Sequence, residues 1–104
     1  MYKAMARLQE AAMDMRRKAL AAALRNINLH VFGGRANSKR LEEYVAERMK
    51  LRPIDIRLWC SGDGVPEAYV DEFLSLLNEN SVWRKHQIRP SQKLVEAYME
   101  KSYA

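Results

Sequence analysis

Apolar positions recur at spacings of three and four through residues 2–31, and this run predicts the longest helix of the chain. It has no proline or glycine and much alanine, so helix propensity is high. Met5, Leu8, Ala12, Met15, Ala19 and Ala22 form a heptad-like stripe. Leu20, Leu24, Ile27 and Val31 form a second stripe, offset by about one position. The pattern fits one long helix with two roles, or two helices broken near Arg25–Asn28. The second stripe is expected to serve the core. The first packs either against the C-terminal helix or against a second copy. A helix of this length would extend about 45 Å and outrun a small domain, which favours the dimer contact, assigned to Met5, Leu8, Ala12 and Met15.

Gly33-Gly34 breaks the pattern, and Asn37 or Ser38 supplies an N-cap for a helix of about Lys39–Lys50. Its inward residues are expected to be Leu41, Tyr44, Val45, Ala46 and Met49. Arg40, Glu42, Glu43, Glu47, Arg48 and Lys50 are expected to face out. A third helix starts near Pro53, a residue suited to the first turn, and runs to Cys60 or Ser61 with Ile56 and Trp59 inward. The small Ala46, Leu51 in the turn and the apolar pair Ile56 and Trp59 suit two helices crossing steeply, as in a helix-turn-helix. Gly62 is expected to end the third helix, and the turn-rich stretch 61–66 leads to a helix of about Pro66–Leu77. Its apolar side is Ala68, Val70, Phe73, Leu74, Leu76 and Leu77. Residues 82–90 read as extended or as one helical turn. A last helix, about Gln92–Ser102 and capped by Ser91, presents Leu94, Val95, Tyr98 and Met99. The predicted fold is therefore all-α: a compact helix-turn-helix domain of four to five helices with a long N-terminal helix. Residues 1–19 form an N-terminal extension, 20–90 the helix-turn-helix domain, and 91–104 a C-terminal helix.

Composition narrows the function. The chain has 104 residues, enough for one small core. Forty-eight per cent apolar and thirty per cent charged residues are ordinary for a soluble protein, and no apolar run approaches the roughly 20 residues of a membrane span. The charged N-terminal residues lack the apolar run of a secretory signal, and Cys60 is alone, so a reducing, cytoplasmic setting is expected. No Cys/His group has metal-ligand spacing, and no catalytic triad, carboxylate pair or phosphate loop is recognisable, so neither a metal, a cofactor nor an enzymatic activity is expected. His86 reads as a surface histidine and Trp83 as a core plug.

Net charge is +5, unevenly spread. Residues 1–60 hold 13 Lys/Arg against 6 Asp/Glu, while 61–81 hold five acids and no Lys or Arg. A basic half with an acidic segment apart fits one face that meets phosphate. Arg52, Ile54, Arg57 and Leu58 are the outward positions expected to reach base edges, the arginines towards guanine and the aliphatics towards thymine methyls. Lys39, Arg40, Arg48 and Lys50 are expected to contact phosphate. Asp55 opposes this unless it pairs with a nearby arginine. Arg16, Arg17 and Lys18 form a basic cluster, read mainly as a solvated face, with a phosphate contact as the alternative.

Residues 52–66, RPIDIRLWCSGDGVP, resemble the core of the phage repressor/Cro-type helix-turn-helix superfamily, in which a segment S-P-x-x-I-x-x-W-x-x-G is common. Gly64-Val65-Pro66, the helix after it and His86-Gln87-Ile88-Arg89-Pro90 resemble the small Cro/YdaS-like regulators. The likeness covers about residues 20–90. It implies a phage- or prophage-type transcriptional regulator, a repressor in character, binding double-stranded DNA as a homodimer through a recognition helix at about 53–61. Lys50 departs from the family, which usually has Gly in the turn, and Arg52, Ile54, Asp55, Arg57 and Leu58 replace more polar readers. A protein-interaction module on the same fold is the alternative, with Ile54, Leu58 and the Met-rich helix gripping a host or replication protein. Sequence-independent nucleic-acid binding through the basic half is the third.

Overall fold

The computed structural model describes residues 2–103, with side chains described for residues 6–100 apart from Gln92 and Tyr98. The long apolar pattern becomes one uninterrupted helix, α1, Tyr2–Phe32. The alternative break near Arg25–Asn28 does not occur. At about 1.5 Å per residue α1 runs the full length of a molecule whose longest extent is 43 Å. Leu20, Ala23 and Ile27 are buried in the core and Leu24 packs against it. Val31 shares their face but is exposed. In this last turn Phe32 makes the contact instead, meeting Tyr44 edge to face with ring centroids 5.3 Å apart.

The chain then turns sharply. Gly33 and Gly34 both take positive φ, 62° and 81°, and the Asn28 side chain bonds both the N–H and the carbonyl of Ala36, at 2.9 Å each. The side chain of Asn37 accepts from the N–H of Arg40 at 2.9 Å and starts α2, Ser38–Met49. Leu41, Val45, Ala46 and Met49 are buried as expected. Glu42 is also buried, against the expectation that it faces out. It precedes Val45, Ala46 and Met49 by three, four and seven residues, so it lies on the inward stripe.

Lys50 ends α2 in the left-handed conformation, φ 59° and ψ 41°. It is the one non-glycine residue with positive φ among those described. An L side chain in this conformation costs about 1–2 kcal/mol. Lys50→Gly is therefore expected to raise stability by about 0.5–1 kcal/mol, after the greater freedom of glycine in the unfolded chain is offset. Urea unfolding checks this, and a lower midpoint would refute it.

α3, Pro53–Ser61, buries Ile56 and Trp59. A loop through Gly62 and Gly64 leads to a short 3₁₀ turn, Glu67–Tyr69, and then to α4, Val70–Leu77. The single helix expected from Pro66 is thus split, and Ala68 is exposed. Val70, Phe73, Leu76 and Leu77 complete the core. Of the two readings of residues 82–90, the helical turn is the one found: it is α5, Lys85–Ile88, which buries Ile88. α6, Gln92–Tyr103, opens with the Leu94 N–H bonded to the Ser91 hydroxyl at 3.2 Å. Counting α5, the architecture has six α-helices and no strand among the described residues. α6 lies against α1, where Val95 is fully buried and Leu94 is exposed. Tyr98 lies outside the described side chains.

Candidate nucleic-acid interface

α3 has two chemically different sides. Residues 56 and 59 lie on the inner one, and residue 60 is half-buried beside them. The Trp59 ring sits 5.5 Å from that of Tyr69. The outer side carries Ile54, Arg57, Leu58 and Ser61, with Arg52 just before the helix. Ile54 is 40% exposed and Leu58 59%. The side chains of Arg52 and Arg57 are 80% and 58% exposed. The four residues expected to reach bases, Arg52, Ile54, Arg57 and Leu58, therefore all lie on solvent-facing positions of one short segment.

Both arginines are engaged by carboxylates of this chain. Arg57 donates from Nε and Nη2 to one oxygen of Glu42, at 3.4 and 3.1 Å. Arg52 donates from Nη2 to Asp55 at 3.4 Å, and the other Asp55 oxygen accepts the Arg52 backbone N–H at 2.9 Å. That backbone bond is the largest cause holding the Asp55 carboxyl below its ordinary pKa, with the Arg52 side chain adding to it. Asp55 thus caps α3 and is neutralised by Arg52, which removes the objection to a carboxylate beside phosphate.

The four residues expected to bind phosphate divide. Lys39 and Lys50 are exposed. Lys39 lies three residues before Glu42, on the side of α2 that leans towards Arg57. Arg40, Tyr44 and Arg48 follow one another at intervals of four, on a different stripe. The Arg40 guanidinium lies over the Phe32 ring at 5.2 Å, and that of Arg48 over Tyr44 at 5.7 Å. Arg48 also donates to the Tyr44 hydroxyl at 2.9 Å and pairs with Glu79. The bond to Glu79 is the main cause raising the Arg48 pKa. Arg40 and Arg48 therefore belong to a stacked surface strip, apart from the exposed Lys39 and Lys50.

The basic cluster on α1 has a role that sequence reading missed. Arg16 holds both oxygens of Asp63, at 2.9 and 3.1 Å, and Arg17 donates to the Gly62 carbonyl at 2.9 Å. Arg89 reaches the same loop, donating to Asp63 and, at 3.1 Å, to the Val65 carbonyl. These arginines clamp the loop that follows α3, so Arg16 and Arg17 do not form a solvated face. Lys18 is exposed and pairs with Asp14 at 2.9 Å.

Of the residues assigned to a dimer contact, Ala12 is buried within the chain and lines a cleft together with Val95 of α6. The intramolecular alternative thus holds for Ala12. Leu8 and Met15 are half-buried, and the side chain of Met5 lies outside those described. Cys60 is half-buried, and burial first, then the charge of Glu42, pushes its thiol pKa up, which disfavours the thiolate a nucleophile needs. His86 is exposed, and Trp83 is half-buried against the core, its backbone N–H and carbonyl both held by Asn78. Among the described residues no cluster of His, Cys, Asp or Glu has metal-site geometry, and no helix is long and apolar enough to cross a membrane.

No family model, curated protein or solved structure matches the chain. The likeness to repressor/Cro-type proteins stands on the residues quoted above.

Proposed function

We propose that the chain is a sequence-specific regulator that binds duplex DNA, repressor-like and dimeric, with α3 in the major groove. The observation that carries this reading is the outer side of α3. It is uncovered, Arg57 is anchored along one edge by Glu42 and Arg52 is paired with Asp55, and its helix is braced from behind by Ile56 and Trp59. An anchored guanidinium keeps further N–H donors for guanine O6 and N7 or for phosphate. Ile54 and Leu58 suit thymine methyls, and Lys39 and Lys50 suit the flanking phosphates. The phage character comes from the resemblance alone, and a reducing, cytoplasmic setting accords with the unpaired Cys60.

Selection of bound sequences from a random duplex library tests the reading. The expected product is a half-site repeated about one helical turn away, as a symmetric dimer requires. No enriched sequence would overturn it. Arg52→Ala and Arg57→Ala are each expected to weaken binding to the selected site by about 1–3 kcal/mol, roughly 5- to 150-fold. Equal affinity of wild type and either variant would remove that arginine from the role.

The exposure of Ile54 and Leu58 at the centre of the same side favours one other reading, a grip on a partner protein. Salt separates the two. DNA binding through several phosphates falls steeply as salt rises, and an apolar grip does not. Binding without sequence preference would give a steep salt dependence but no selected site.

A further inference from the structure

We infer that Glu42 is a positioning residue that fixes Arg57 in the orientation from which it reads one base pair, and so sets the sequence preference at that position. This rests on the DNA reading proposed above. Glu42 belongs to α2 and Arg57 to α3, so the contact joins the two helices across the turn. The Glu42 side chain is only 11% exposed, and Glu42 is the one charged residue among the described buried ones. Burying a carboxylate costs several kcal/mol, and an apolar residue of similar volume often serves folding as well or better. Stability alone is therefore a poor reason for a carboxylate here.

What the carboxylate does is geometrically specific. It takes Nε–H and one Nη2–H of Arg57 through a single oxygen. Nη1 makes no bond among the described residues, so the outer edge of the guanidinium keeps parallel N–H donors. That edge matches the paired acceptors of guanine in the major groove. An arginine free on a helix surface has considerable rotamer entropy to lose on binding. Here much of that freedom is already spent in the unbound protein, and the planar group is aimed by a buried partner. The exposed Arg52 lacks this arrangement, since its carboxylate, Asp55, stands on the same turn of the same helix. Arg57 is thus the better-aimed of the two.

The test uses the full chain, its selected duplex and the set of single-base-pair variants of that duplex, with affinities read by fluorescence anisotropy. Arg57→Ala identifies the base pair whose discrimination it abolishes. Glu42→Gln is then expected to reduce discrimination at that same base pair about tenfold and to leave the other positions as they are. The double variant should discriminate no worse than Arg57→Ala alone. If Glu42→Gln does not fold, Glu42→Asp replaces it. Asp keeps the charge, falls a methylene short of Arg57, and should show the same loss confined to one position. Full discrimination in the Glu42 variant, or an equal loss at every position, overturns the inference while the DNA reading stands. A wild-type chain that selects no sequence overturns both.

Discussion

Gly64→Ala is expected to lower stability by about 3 kcal/mol, with a fall in Tm of roughly 15 °C. Two costs add. Gly64 has φ of +73°, where an L side chain is strained by about 1–2 kcal/mol. A Cβ built there would also stand 2.8 Å from the carbonyl oxygen of Arg16 and 2.9 Å from the Arg16 Cβ. These atoms belong to the middle of α1 and have little room to retreat, so overpacking adds about 1–3 kcal/mol. Domains of this size have only about 5–15 kcal/mol in hand. Gly33→Ala is the control. Its φ is also positive, +62°, but nothing lies within 4 Å of the added atom. Only the conformational cost applies, about 1–2 kcal/mol. Thermal unfolding followed by circular dichroism checks both variants. Equal losses would mean that close approach to α1 does not matter.

Trp59→Ala is expected to cost about 3–5 kcal/mol, the range for removing a buried large aromatic. Trp59 is 7% exposed, its ring packs on Tyr69, and its carbonyl accepts the N–H of Gly64 at 3.0 Å. Loss of the ring empties the space behind α3, while the main-chain bond to Gly64 remains. Leu58→Ala, one residue away, is expected to change stability by no more than about 0.5 kcal/mol, because Leu58 is exposed. The contrast between neighbours is the sharp part of the prediction. Comparable urea midpoints for the two variants would show that the inner and outer sides of α3 are wrongly assigned.

The two-sided character of α3 was legible in the sequence because it depends on local spacing. Ile56 and Trp59 are three residues apart, Pro53 marks the start and Gly62 the end. The same holds for the buried row Leu41, Val45, Ala46 and Met49. Glu42 was legible too, since it falls on that row, but its charge argued for solvent and its partner Arg57 lies 15 residues on. The clamp was not legible. Arg16 and Asp63 are 47 residues apart, and no periodicity links a basic cluster on a helix to an aspartate in a loop. The close approach of Gly64 to α1 leaves the same absence of local signal, because a turn alone explains the residue. Arg40 and Arg48 were grouped with Lys39 by charge, although their spacing of four from Tyr44 placed them on another stripe. Composition suggests a basic surface, and helical phase decides which basic residues share a side.

α1 touches every other α-helix of the fold, α2 through α6. Leu20, Ala23 and Ile27 belong to the same cluster as Val45, Ile56 and Phe73. Peeling away α2, α3, α4 or α5 strips cover from this shared spine and weakens the seats of the rest, whereas α6 rests on α1 alone among the described residues. The helices gathered on that spine are expected to melt together.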